Sequence, residues 1–124
     1  MTAEANVSII CEATGLGKLL QFCEKFATTT APTALTYNYR VYTAAANDIG
    51  EVLDLGDVTT VHLIIIKAID KRLYIDTSYS AAFSNEIDLQ IGEVAIFKPV
   101  GIVWVKNYTT AETPAYEYLC IGVT

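Results

Sequence analysis

The sequence predicts an all-β fold, a single antiparallel sandwich or jelly-roll-like domain with an extended N-terminal region. Three observations carry that expectation. There are eight to ten short runs rich in β-branched and aromatic residues, turn signals punctuate them at close spacing, and several runs alternate apolar and polar residues with a period of two. At 124 residues the chain has the size of one ordinary domain and can bury a core without disulfides or metal. Residues 1–34 read as a strand-and-arm region packed on the domain, and residues 35–124 as the sandwich core.

Taken in order, Asn6 to Glu12 predicts a first strand with Val7, Ile9 and Cys11 on one face. Ala13 to Gly17 is a loop. Lys18 to Phe26 fits two periods: Leu19, Phe22, Cys23 and Phe26 would form a helical face, and Leu20, Phe22, Glu24 and Phe26 a strand face. The glycine entry, the Thr28-Thr29-Thr30 exit and the lack of an N-cap residue before Lys18 favour the strand. Ala27 to Pro32 is a small-residue linker, extended at Ala31 because Pro32 follows it. Leu35 to Tyr42 alternates cleanly, with Leu35, Tyr37, Tyr39 and Val41 opposite Thr36, Asn38, Arg40 and Tyr42. Ala44 to Asp48 is a loop, and Glu51 to Leu55 a short strand closed by Gly56-Asp57.

Thr59 to Lys106 is the organising block. Val61, Leu63, Ile64, Ile65 and Ile66 predict a central strand covered on both faces. Asp70-Lys71 makes a tight polar turn, and Leu73 to Asp76 is expected to return as the second arm of an antiparallel hairpin. Ile87, Leu89 and Ile91 share one face of the next strand. Gly92-Glu93 turns into Val94 to Phe97, Pro99 ends that strand for want of a ladder donor, and Gly101 allows the bend into Ile102 to Lys106. After the polar loop Asn107 to Pro114, Ala115 to Val123 closes the chain with Tyr116, Tyr118, Cys120 and Gly122 alternating.

Composition narrows the function. The chain is 52% hydrophobic and 18% charged, which is below the usual charged share of about 25%, so part of the surface is expected to lie under a partner. No apolar run approaches the roughly 20 residues that span a bilayer, and neither a membrane span nor a secretion signal is expected. A net charge of −6 with eight scattered Lys and Arg disfavours nucleic acid, whose affinity comes from clustered cations. Cys11, Cys23 and Cys120 read first as buried free thiols of a reducing compartment, and a disulfide between two of them is the alternative that sequence leaves open.

A search for reactive constellations assigns no catalytic, cofactor or metal residue. Gly15-Leu16-Gly17-Lys18 lacks the spacing of a phosphate-binding loop, with Glu12 and Leu19 at the places that need glycine and a hydroxyl. His62 is the only histidine and sits inside the apolar run, where a structural imidazole is expected. The dispersed cysteines do not make a zinc spacing. Asp54, Asp57, Asp70, Asp76, Glu86 and Asp88 read as solvated strand ends, without a calcium-loop pattern and without a selected pair for acid–base work. The aromatic residues are the better candidates. Tyr37, Tyr39, Tyr42, Tyr74, Trp104, Tyr116 and Tyr118 suit either sheet packing or a protein interface.

From Glu51 onward the motifs form an ordered series. Glu51-Val52-Leu53-Asp54-Leu55-Gly56-Asp57-Val58 is followed by Leu63-Ile64-Ile65-Ile66-Lys67-Ala68-Ile69-Asp70, then by Ile91-Gly92-Glu93-Val94-Ala95-Ile96-Phe97-Lys98-Pro99, by Val103-Trp104-Val105-Lys106-Asn107, and by Tyr116-Glu117-Tyr118-Leu119. This series resembles a loose group of small tailed-bacteriophage virion proteins. It departs at Ala68, where an asparagine often follows the lysine. The resemblance implies a non-enzymatic virion part assembled in the host cytoplasm, with no cofactor, nucleic acid or membrane. A capsid decoration or cement protein on the major capsid protein or other virion proteins comes first, and a tail or fibre component second. Self-association, as a trimer, follows from the symmetry of such particles. Rival readings are a glycan-binding β module using Tyr and Trp stacking and a small hydrolase using paired acids.

Overall fold

Ten strands make up the regular structure of the computed structural model, which describes residues 3–15, 17, 20–28, 30–43 and 47–124. They are β1 (Asn6–Ala13), β2 (Leu20–Ala27), β3 (Ala34–Val41), β4 (Glu51–Val52), β5 (Thr60–Ala68), β6 (Leu73–Tyr79), β7 (Ile87–Leu89), β8 (Val94–Phe97), β9 (Ile102–Asn107) and β10 (Ala115–Val123). The expected all-β antiparallel sandwich is what forms. The two core sheets have orders β3-β10-β5-β8 and β4-β9-β6-β7, and β1-β2 is a separate two-stranded ribbon.

The pairing has a simple logic. β6 pairs with β7, β5 with β8, β4 with β9 and β3 with β10, so the chain from Ala34 onward folds once into a long double ribbon closed at β6-β7. The ribbon then rolls up, and its successive rungs alternate between the two sheets. The contacts β5-β10 and β6-β9 are the seams where the roll meets itself. This is jelly-roll topology, which closes two sheets over one core while leaving short edges.

The roll overturns one expectation. β5 and β6 are not a hairpin, since β5 lies between β10 and β8 and β6 between β9 and β7 in the other sheet. The short Ile69–Arg72 connection crosses between layers instead. Asp70 stabilises the crossing by accepting a hydrogen bond from the Ala115 amide at 2.8 Å. The strand at Glu51 is also shorter than expected and stops at Val52, although the Leu53 amide still bonds the Val103 carbonyl at 2.9 Å. Ile91 lies in the turn after β7 and is exposed, not on the buried face with Leu89.

The core fills from both layers. Ile64, Ile66 and Ala68 of β5 and Tyr116, Tyr118 and Cys120 of β10 face Leu73, Ile75, Leu89, Val103 and Val105. β5 is not covered on both faces along its length, because Ile65 and Lys67 on its other side are only half-buried. Near its start, Leu63 pairs with Ile121 and Val61 with Gly122, so His62 is the extra residue of a β-bulge. Gly122 permits that bulge. A Cβ there would lie 2.0 Å from the Thr60 carbonyl oxygen.

The expected strand over Lys18 to Phe26 is β2, with Lys18 and Leu19 outside the described residues. It pairs with β1 in register from Asn6–Ala27 to Ala13–Leu20. The ribbon is pinned at its base, where the Thr28 amide donates to the Ala5 carbonyl at 3.0 Å. Ala5 and Val7 are buried yet lie outside the core cluster, as does Leu63 on the outer side of β5.

Candidate protein-docking face

Strand β3 is inside out. Its register against β10 puts Thr36, Asn38 and Arg40 beside the inward residues Cys120, Tyr118 and Tyr116, and turns Leu35, Tyr37, Tyr39 and Val41 to the outside. The inward polar set is satisfied at the rim of the sandwich. Thr36 Oγ1 donates to the Leu55 carbonyl at 2.7 Å, Asn38 Nδ2 to the Tyr118 hydroxyl at 3.1 Å, and Arg40 faces Asp54 at 3.4 Å. An edge strand that spends its polar side chains on the interior leaves an apolar stripe in water.

That stripe continues across the sheet. Cross-strand pairing aligns Tyr37, Leu119, Ile65 and Ile96 in one row over all four strands, and Tyr39, Glu117, Lys67 and Val94 in the next. Tyr37 is 58% and Tyr39 57% exposed, and Leu35, Val41, Val94 and Ile96 are exposed as well. The Tyr37 hydroxyl donates to Glu117 Oε2 at 2.6 Å, which ties the ring to the neighbouring strand β10. That bond to Glu117, more than its charge or burial, raises the Tyr37 phenol above its usual range.

The outer face of the other sheet has a cover of its own. Trp104 stacks on Tyr79 at the end of β6 with ring centroids 3.7 Å apart, and Phe83 and Trp104 both border Gly50. Asp76, outward on β6 yet only 1% exposed, holds the segment from Ser78 to Ser84 down by accepting hydrogen bonds from the amides of those two residues, both at 2.9 Å. Glu86 adds Oε1 to the amide and hydroxyl of Thr77 and to the Ser78 hydroxyl. Its carboxyl is held below the usual range, first by its hydrogen bond with Asp76 and then by these donors.

The seven aromatic candidates therefore divide three ways. Only Tyr37 and Tyr39 share the open face. Tyr74 packs edge-on against Tyr108, which also carries the Arg72 guanidinium 3.7 Å above its ring, and with Trp104 it belongs to the opposite side. Tyr42, Tyr116 and Tyr118 are core residues, a correction to any surface role. Each brings its hydroxyl to a partner: Tyr42 accepts from the Gly50 amide at 2.9 Å, Tyr116 donates to Glu51 at 2.9 Å and Tyr118 to the Asp54 carbonyl at 2.5 Å. Sequence alternation gave the right pairing of faces but not which face looks inward.

The remaining candidates lie apart from the open face. His62 is half-buried at the bulge, beside Phe26, Thr28, Thr30 and Lys98, and its Nδ1 has no hydrogen-bond partner among the described residues. Asp76 is buried, not a solvated strand end, because its carboxylate is consumed by two backbone amides. Asp88 pairs with Arg72, whose Nε lies 2.8 Å from Oδ1 and whose second nitrogen bonds Oδ2. Among the described residues, no group of three or more His, Cys, Asp or Glu side chains is placed to hold a metal ion.

The cysteines need a further correction. Cys120 is buried, and desolvation pushes its thiol up to about 11, but Cys11 and Cys23 are exposed. Cys11 pairs with Phe22 and Cys23 with Ile10, so the two thiols lie on opposite faces of the ribbon. A two-stranded ribbon has no interior in which to bury them.

The chain matches no family model, no curated protein and no solved structure.

Proposed function

We propose that this chain is a non-enzymatic structural protein of a tailed-phage particle, a decoration or cement protein that docks on the capsid shell through the outward stripe of β3. The observation that carries this reading is the inverted edge strand. Leu35, Tyr37, Tyr39 and Val41 stand in water on a rigid sheet while their polar neighbours point inward, which costs solvation unless a protein surface covers the stripe. Tyrosines suit that work, since each offers a large apolar ring with a polar tip. The ordered motif series from Glu51 to Leu119 supports the virion assignment. Jelly rolls serve as shell components and also as lectins and enzymes, so the fold alone supports it by analogy only.

The mechanism is additive. A stiff module laid across neighbouring shell subunits adds buried area to each of many weak contacts, and the summed interfaces resist internal pressure. The test is co-sedimentation of the purified chain with tailed-phage shells lacking a decoration layer. Saturable binding at a copy number commensurate with the shell subunits is expected, with loss of binding in Tyr37→Glu and Tyr39→Glu variants of unchanged circular dichroism. Absence of retention on shells would overturn the cement reading. A copy number far below the subunit count would move the chain to the tail, and selective binding on a glycan array would replace docking with carbohydrate recognition.

A further inference from the structure

The β1-β2 ribbon is amphipathic, and its apolar side is largely uncovered. Its register places Val7, Ile9, Cys11 and Ala13 on one face with Phe22, Glu24 and Phe26, whereas Asn6, Ser8, Glu12 and Lys25 share the other with Ile10 and Cys23. At the base this apolar face begins on the body, where Val7 is buried. Toward the tip no described residue outside the ribbon covers it, and Phe22 is 56% exposed. A two-stranded ribbon is marginal in water without a third layer. With eight residues per strand it extends roughly 26 Å at about 3.3 Å per residue, enough to lie along a strand of another sheet.

The body offers a matching surface. Beside the β3 stripe, Ile65 and Lys67 of β5 with Val94 and Ile96 of β8 form a second apolar strip, closed on its inner side by Leu119. Each of the two faces carries a charge among its apolar residues, and on the strip Lys67 stands opposite Glu117, whose Oε2 is already taken by the Tyr37 hydroxyl. Glu24 lies among the apolar residues of the ribbon and Lys67 among those of the strip, and the side chain of neither makes a hydrogen bond or ion pair with the described residues. Glu24 and Lys67 are opposite in charge, and each stands on an apolar face that its own fold leaves partly open.

We infer that the ribbon of one copy docks on the β5-β8 strip of a second copy of this chain, with Glu24 meeting Lys67 across the contact. The ribbon supplies Ile9, Cys11 and Phe22 to cover Ile65, Val94 and Ile96, and the β3 stripe stays free for the shell. The inference rests on the reading of the chain as an assembly module and names one of its partners. Self-association is measured on the purified chain without shells, so failure here leaves the shell-binding result standing, and failure there leaves this one.

The experiment is sedimentation equilibrium of the full chain over a range of concentrations, with charge exchange. The wild type is expected to associate. Glu24→Lys and Lys67→Glu alone set like charges against each other and are expected to weaken association by about tenfold or more, whereas the double variant restores it. In the wild-type assembly a thiol reagent is expected to spare Cys11, on the docking face, while modifying Cys23, on the outer face. A monomer at every concentration, single variants that associate normally, a double variant no better than the singles, or equal reaction of the two thiols would each overturn the contact.

Discussion

The Tyr116 hydroxyl, on a residue with 0% exposure at the inner face of one sheet, donates to Glu51 Oε1 of the other sheet at 2.9 Å. It is a clasp between layers. Glu51 also takes the Thr43 hydroxyl at 3.1 Å through its second oxygen, so one carboxylate joins β10, β4 and the loop after β3. Burial, reinforced by the neighbouring Glu51 charge, pushes the phenol far above its usual range.

Tyr116→Phe keeps the packing and deletes the donor. The expected loss is about 2 kcal/mol, the range for a hydrogen bond to a charged group, measured as a lower urea midpoint with an unchanged slope.

Gly122→Ala tests the bulge. The new methyl would meet the Thr60 carbonyl at 2.0 Å and Val58 Cγ1 at 2.8 Å, and backbone cannot move aside as a side-chain tip can. A loss of roughly 3 kcal/mol is expected from overpacking, read from chemical unfolding. Ala substitution at Gly92 meets nothing within 4 Å and pays only for its positive φ, so it is the milder control.

Asp76→Ala should release the cover over Trp104. Two backbone amides, Ser78 and Ser84, lose their acceptor, with an expected cost of about 3 kcal/mol. The chain has a single tryptophan, stacked on Tyr79 within the same segment, so its emission should shift toward that of an exposed indole before global unfolding. Unchanged native emission would show that the segment is held by other contacts.

Acid should weaken the fold through four carboxylates held below their ordinary range, Glu86 and three aspartates. The Arg72 guanidinium holds Asp88 below its ordinary 3.8, the Ala115 amide does the same for Asp70, and the Asn107 amide with the Ala111 amide does so for Asp48. Their folded forms bind protons less readily than the unfolded chain, so the stabilisation is fully present above the ordinary value. It is lost as pH falls below about 5 and through the lowered folded values. Urea midpoints should be flat near neutrality and fall in that window, and Asp88→Asn should make the fall shallower.

Much of the fold was legible because strand formation is a local matter. Alternation at Leu35 to Tyr42 and at Ala115 to Val123, and the turn signals at Gly92-Glu93 and Pro99, mark strands and their ends through side-chain period and backbone donors alone. The ambiguous Lys18 to Phe26 segment was decided by its glycine entry and lack of a cap, which are local as well. Layer assignment was not legible in the same way. Asp70-Lys71 looks like a hairpin turn, yet it is a crossing, because β5 pairs with β8 and β6 with β7 in the long ribbon, and rolling puts those two rungs in different sheets.

By itself, then, the sequence determined that this chain makes antiparallel strands, roughly where most of them lie, and which residues within a regular strand share a side. Only the tertiary structure decided which side faces the core. A period of two says that Tyr37 and Tyr39 travel together and that Tyr116 and Tyr118 do, but the two pairs are equivalent to any reading of hydrophobicity. Rolling places β10 in the middle of its sheet, where an inward tyrosine is buried with its hydroxyl satisfied at the rim. The same rolling leaves β3 at the edge, where Thr36, Asn38 and Arg40 find partners inside and the tyrosines are left outside.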